Sequence, residues 1–454
     1  MLFSLEQLMK WFPHYDGTKK GKQIKHVSSD SRVEKDESLF IPIVGERFDG
    51  HDFIETAIEK GAIATLWNRS YQIPNHLKEK CLFFYVDDTL EALQELAKYY
   101  RETIDPIVVG ITGSNGKTTT KDLVASVLNS TYRTHKTEGN FNNDIGLPLT
   151  ILSMPNDTEV LVLEMGMNNF HEIERLARIA RPDYAIITNI GESHIEYLGS
   201  REGIAKAKLE IVKGLKKAGT LIVDGDEALL QSLSIPQRII GCSFKEKNRA
   251  NIKRISNINV TLQETTFRYD GMTYKIPLTG VHHAKNAAYA IEVAKLLKVK
   301  DQKISNSLKQ SEPTGMRFEQ IETSSGAIII NDAYNASATS MIGAIEIVKQ
   351  MNSFNRRIVV LGDVLELGEY TERFHRQIGE AISSPIDYVF TFGEAARYIY
   401  ETAQNANNVI CEHFTNRNQL INTLRPLMKK GTIALFKASR GMAFETLIEP
   451  LVTE

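Results

Sequence analysis

The run VVGITGSNGKTTTKDLVASVL, residues 108–128, places Gly113, Gly116, Lys117 and Thr118 between a β-branched apolar stretch and an amphipathic helical pattern. Glycines at such a turn let consecutive backbone N–H groups face phosphate oxygens, and the helix N-terminus that follows adds its dipole. Lys117 is placed to reach the β- and γ-phosphates, and the Thr118 hydroxyl to ligate Mg²⁺. A strict Walker A motif has glycine where this chain has Ile111, so the motif is a shortened GxxGKT variant. An ordinary glycine-rich βα turn would share the glycines, but not the ordered strand, Lys-Thr pair and helix. EVLVLEMG puts Glu164 at the C-terminal end of an apolar strand, where α/β folds place ligands and where an acid binds Mg²⁺. YAIITNIGESH puts Asn189 and His194 just past the next strand. A histidine in such a loop is most often a surface or capping residue; beside Glu164 and a phosphate loop it reads as a cation ligand.

A fourth residue stands out by helical period. In residues 201–217, Glu202, Lys206, Glu210, Lys213 and Lys217 form one polar face. Ile204, Ile211, Val212 and Leu215 form the opposite face, and Lys208 falls among them. Burial disfavours an ammonium and drives lysine toward the neutral amine. The plain alternative is a lysine snorkelling at the edge of the apolar stripe.

These residues need strands and helices to hold them. Apolar stretches at 39–43, 107–111, 159–163, 184–188, 219–223, 326–330, 357–362, 387–391 and 431–436 alternate with helical patterns such as 88–101, 117–129, 201–217, 337–350 and 416–429. The alternation predicts an α/β fold with mostly parallel sheets. Short antiparallel strands are expected within 250–279, before a helix at 283–297. Breaks near Asp105-Pro106 and Pro313-Thr314 divide the 454 residues into expected domains of 1–105, 106–312 and 313–454.

Composition narrows the class. A net charge of −2 gives nothing that would draw the chain to nucleic acid or an anionic membrane. No apolar run is long enough to span a bilayer, and Glu6 and Lys10 interrupt any signal-peptide core, so a cytoplasmic protein is expected. Cys81, Cys242 and Cys411 form no metal or disulfide spacing and are expected to be buried apolar residues. A GTPase base-reading NKxD and the HRD and DFG motifs of protein kinases are absent, leaving an ATP-dependent enzyme of another kind.

The ordered set GSNGKTT, EGNFNNDIGLPLT, LEMG, TNIGESH, AKAKLEI, GVHHAKNA, NDAYNAS, LGDVLELGEY and KASRG resembles the Mur ligase family over essentially the whole chain. SSDSR (28–32) and GERFDGHDFI (45–54) fit that family's UDP-substrate domain. Within it, NFNND, DAYNAS and GDVLELGEY resemble the branch that adds D-alanyl-D-alanine. The chain departs from the family pattern at His283, Ser337 and Ala438, where Asn, Asn-Pro and Gly are usual.

The resemblance implies an α/β fold of three domains, a small N-terminal α/β substrate domain, a central P-loop domain and a C-terminal Rossmann-like α/β domain. It implies ATP and Mg²⁺ as cofactors, and UDP-MurNAc-tripeptide and D-Ala-D-Ala as substrates joined through an acyl phosphate. It implies that Gly113, Ser114, Asn115, Gly116, Lys117, Thr118 and Thr119 hold the phosphates, with Arg317 reaching them from the third domain. Asn286 would contact adenine and Asp332 the ribose. Thr118, Glu164, His194 and a carbamate on Lys208, fourteen residues after His194, would hold the cations. Ser31, Arg32, Phe48, Asp49, Gly50 and His51 would contact uridine and pyrophosphate, and Asn142, Asn143 and Asp144 the muramoyl end. Asn335, Lys437, Ser439 and Arg440 would face the dipeptide. A monomer that opens and closes is expected. The alternatives are a folylpolyglutamate-synthase-type ligase, against which the N-terminal motifs speak, and an inactive scaffold, against which Lys117, Glu164, His194 and Lys208 speak.

Overall fold

The computed structural model describes residues 2–452 except 20, 22, 232, 247, 248, 313 and 314. The expected break at Pro313-Thr314 therefore lies outside the described residues. Three sheets, each belonging to one α/β unit, account for nearly all the strands, and the alternation read from the sequence holds.

The central sheet has nine strands. Ile107–Thr112 lies in its middle, paired in parallel with Val160–Glu164 on one side and Tyr184–Ile187 on the other. Thr134–Lys136 flanks the first side; Thr220–Asp224, Arg238–Ser243 and Ile252–Val260 continue the second, all parallel. Thr265–Tyr269 and Met272–Ile276 then extend the sheet antiparallel, as the alternating pattern of 250–279 predicts. The chain reverses its direction of travel across the sheet at Ile107–Thr112, so a crevice opens at the C-terminal ends of the three middle strands. The phosphate loop, Glu164 and the loop carrying Asn189 and His194 all leave the sheet at that edge. Helix Lys117–Asn129 packs against helix Val281–Leu296, whose Ala284, Ala287, Ala288 and Ala290 are fully buried. Small side chains let the two backbones approach closely.

The C-terminal sheet runs Glu319–Glu322, Ile328–Asn331, Thr432–Lys437, Arg356–Gly362, Tyr388–Phe392, Ile410–Phe414, parallel except for its first strand. The N-terminal sheet has His26–Ser28, Ser38–Phe40, Ala62–Asn68 and Leu82–Val86 in parallel, with Tyr15–Gly17 antiparallel at one edge. Among the described residues no helix is long and apolar enough to cross a membrane.

Two local expectations are corrected. The helix expected over 201–217 is α-helical only over Arg201–Leu209 and tightens to a 3₁₀ turn at Glu210–Lys213. Glu210 consequently leaves the polar face: it is 6% exposed and accepts the His171 and Glu174 backbone N–H groups at 2.9 and 3.3 Å, capping helix Glu172–Ala180. Cys81 and Cys242 are buried as expected, but Cys411 is half-buried, because its strand lies at the sheet edge.

Candidate active site

Gly113 and Gly116 adopt φ of +148° and +79°. A Cβ on Gly113 would lie 1.8 Å from Thr188 Oγ1, and one on Gly116 would lie 2.9 Å from Asn286 Oδ1. Both positions therefore exclude any side chain. The loop is braced from the neighbouring strand end: Asn115 N donates to Asn189 Oδ1 at 2.9 Å, Thr188 Oγ1 donates to Asn115 O at 2.6 Å, and Gly191 N donates to Ser114 Oγ at 2.9 Å. The N-cap of helix Lys117–Asn129 is Gly116, which has no side chain to accept from the first-turn N–H groups. Lys117 folds back over the loop and donates to Gly113 O at 2.8 Å. Burial lowers its pKa; Glu164 opposes that shift and Arg317 adds to it.

Glu164 is 2% exposed. Its backbone N–H donates to Thr137 Oγ1 at 3.0 Å, and its Oε1 accepts from Asn142 Nδ2 at 2.9 Å. Its Oε2 is buried with no hydrogen-bond partner among the described residues. A buried carboxylate oxygen left over beside the phosphate-loop lysine fits a divalent cation. Among the described residues no three His, Cys, Asp or Glu side chains converge on one point. A single buried carboxylate fits Mg²⁺, which is commonly held by one or two carboxylates together with substrate phosphates.

His194 sits in a left-handed turn, φ +65°, at the start of the short helix Ile195–Leu198. Its Nδ1 is 2.7 Å from Glu366 Oε2. The histidine lowers the Glu366 pKa. Lys208 is 1% exposed, as its helical phase predicts. Among the described residues no carboxylate lies within ion-pair reach of it. Burial, reinforced by the charge on Lys117, pushes its pKa well below the usual lysine value.

The C-terminal unit docks onto this edge. Arg317 Nη2 donates to Thr118 Oγ1 at 2.9 Å, and its guanidinium lies 4.1 Å from the centre of the Tyr334 ring. Asn115 Nδ2 donates to Ser337 Oγ at 3.1 Å, and Thr339 Oγ1 donates to Glu192 at 2.7 Å. Asp332 pairs with Lys437 at 2.7 Å because their strands are neighbours and end together. Lys437 also donates to Asn335 O at 3.1 Å and is 3% exposed, so it braces Asp332 and its loop instead of facing a cleft. Ser439 Oγ accepts from Leu365 N at 2.9 Å, and Arg440 pairs with Glu445 at 3.0 Å. A cavity of about 180 Å³ lies between the two units, lined by His194, Asn335, Glu366, Ser439 and Arg440 among others.

The structure thus gathers the phosphate loop with Ser114 and Thr119, Asn286, Arg317, Glu164 and Asn142. Asn143 caps helix Gly146–Ser153 through Gly146 N at 2.8 Å, and Asp144 lies 3.9 Å from Arg175. The N-terminal candidates form a separate group. Arg32 is bidentate to Asp30 at 2.9 and 2.8 Å, which holds the Asp30 carboxyl down at about 2. Asp49 accepts from His51 Nδ1 at 2.6 Å and from Tyr71 Oη at 2.5 Å, and His51 stacks on Tyr71. Gly50 has no room for a Cβ, which would fall 2.6 Å from Ile43 N. Asp49, Gly50 and His51 build the turn, and Phe48 projects from it, 72% exposed. Ser31 lies beside Arg32 and is half-buried. Sequence reasoning missed Thr137, Tyr334 and Glu366. Glu366 lies in a quoted motif, but nothing local separates it from Glu369.

Three Mur ligase descriptions match the chain: the family's catalytic domain over residues 23–101, its middle domain over 111–294 and its glutamate ligase domain over 316–440. The UDP-N-acetylmuramoyl-tripeptide–D-alanyl-D-alanine ligase of Bacillus subtilis (strain 168) is 45% identical over 97% of this chain and 95% of its own length. A MurF crystal structure from Acinetobacter baumannii superposes with a TM-score of 0.89 at 28% identity, covering 99% and 98% of the two chains. MurF ligase from Thermotoga maritima in complex with ADP superposes with a TM-score of 0.82 at 28% identity, covering 94% and 97%. A phosphate loop with a second unit's arginine at its threonine, on this fold and with these relatives, places the chain in the Mur ligase family.

Proposed function

We propose that the chain joins D-alanyl-D-alanine to UDP-N-acetylmuramoyl-tripeptide in the cytoplasm, using ATP and Mg²⁺, with working units of 1–105, 106–312 and 313–454. The observation that carries this reading is the convergence of Arg317 on Thr118 beside the unsatisfied oxygen of Glu164. It is a nucleotide site completed by two units, in a chain whose relatives are named for this ligation.

In the first step the terminal carboxylate of the tripeptide attacks the γ-phosphorus, the bond to the β,γ-bridging oxygen breaks and ADP leaves. In the second the dipeptide amine attacks the acyl carbon, phosphate departs, a proton is lost and the amide remains. The chain supplies alignment and charge neutralisation rather than a nucleophile. Backbone N–H groups of 113–118, with Lys117 and Arg317, hold the phosphates. Asn286 contacts adenine, and Asp332, braced by Lys437, the ribose. Ser31, Arg32 and the 48–51 turn take the uridine diphosphate, and Asn142, Asn143 and Asp144 face the muramoyl group. Thr118, Glu164, His194 and Lys208 as its carbamate would hold Mg²⁺, which when bound would neutralise charge on the transferring phosphoryl group. Asn335, Ser439 and Arg440 face the dipeptide.

The test is product mass and isotope fate. With heavy oxygen in the tripeptide carboxylate, one labelled oxygen should appear in phosphate, and the UDP-linked product should gain one dipeptide unit. Unlabelled phosphate would overturn the acyl-phosphate route, and an unchanged UDP-substrate would overturn the ligation.

A further inference from the structure

The cavity of about 180 Å³ between the central and C-terminal units is lined by two side chains of opposite charge. Arg440 supplies one, with its side chain 55% exposed. Glu366 supplies the other. Its Oε2 is taken by His194, while its Oε1 accepts no hydrogen bond among the described residues, and the side chain is 44% exposed. Leu365 lies next to both: it precedes Glu366, is 47% exposed, and its Cδ1 would lie 3.0 Å from a Cβ on Gly441, the residue after Arg440. Glu366 is held in a left-handed backbone, φ +61°, a conformation uncommon for a residue with a side chain. Orienting His194 occupies one of its two carboxylate oxygens and leaves the other open toward the cavity.

We propose that Glu366 recognises the ammonium group of the acceptor, with Leu365 contacting its methyl groups and Arg440 its carboxylate, so that the cleft reads a small zwitterionic two-residue peptide end to end. This rests on the ligation proposed above. The end next to His194 is then the amine end, which puts the acceptor nitrogen on the side where the acyl group is activated.

The test pairs protein variants with acceptor analogues. Wild-type enzyme should favour D-Ala-D-Ala over D-alanyl-D-alaninamide, which lacks the carboxylate, by about tenfold or more in kcat/KM. It should bind propionyl-D-alanine, which lacks the amine, about tenfold or more weakly as a competitive inhibitor. Arg440→Gln should erase the first preference alone, and Glu366→Gln the second alone. Both variants should keep their KM for ATP and should still form the acyl phosphate, trapped as a hydroxamate by hydroxylamine. Wild-type enzyme without either preference, or a Glu366→Gln variant that retains the second, would overturn the subsite while leaving the ligation intact. Wild-type enzyme that ligates no dipeptide would overturn the ligation and the subsite with it.

Discussion

Gly113→Ala tests the phosphate loop through sterics alone, because it changes no charge. The added Cβ would sit 1.8 Å from Thr188 Oγ1, so Thr188 must turn away and give up its 2.6 Å hydrogen bond to Asn115 O. The alanine must also hold φ +148°, which L-residues rarely adopt. Backbone strain of about 2 kcal/mol and a lost hydrogen bond of about 1 kcal/mol sum to about two powers of ten in kcat/KM for ATP. Thr188→Ala alone loses only the hydrogen bond, about fivefold. In the double variant the nearest obstacle becomes the residue-188 Cβ at 3.0 Å, so the clash is relieved and the effects do not multiply. Steady-state kinetics on all four proteins should show a coupling of about 1 kcal/mol, the double variant being no worse than Gly113→Ala. Strict multiplication of the two single effects would refute the claim that Gly113 is required for this close approach.

Lys117→Ala should lower kcat by about a hundredfold or more, since its charge on the transferring phosphoryl group is lost; near-normal turnover in a coupled ADP assay would remove Lys117 from the site. Lys208→Ala should be nearly inactive and partly rescued by short-chain carboxylates, which replace the carbamate charge; full activity without rescue would exclude the carbamate. His283 is 5% exposed, and burial lowers its pKa well below 6.5. The unfolded chain therefore binds its proton first as pH falls, so the stability His283 permits is complete above pH 6.5 and declines below it. His283→Asn should flatten the fall in denaturation midpoint between pH 7 and pH 5, and an unchanged slope would contradict this.

The most legible features were those whose chemistry is contiguous in sequence. Two glycines, a lysine and a threonine between a strand and a helix specify the phosphate loop locally. Glu164 could be placed because an apolar strand ends on it, and Lys208 because helical phase puts it among Ile204 and Ile211. Pairings across long sequence separations were not legible. Asp332 with Lys437, Asn115 with Ser337 and Glu366 with His194 arise only when neighbouring strands or separate units meet. Lys437 read as facing the dipeptide for this reason, since its partner lies 105 residues away. Glu210 escaped because the helix tightens after Leu209, and helical phase no longer applies beyond that point. Strand Ile410–Phe414 was missed because an edge strand with Glu412 and His413 lacks the apolar run that marks its buried neighbours.

Phosphate release with the substrates omitted one at a time tests the central claim most directly. With ATP, Mg²⁺, UDP-MurNAc-tripeptide and D-Ala-D-Ala all present, phosphate should appear at a steady rate equal to the rate of dipeptide incorporation. Omitting either the tripeptide or the dipeptide should abolish sustained release, and D-glutamate, L-alanine or L-glutamate should not replace the dipeptide. Sustained release without the tripeptide, or turnover with a folate and L-glutamate instead, would contradict the account.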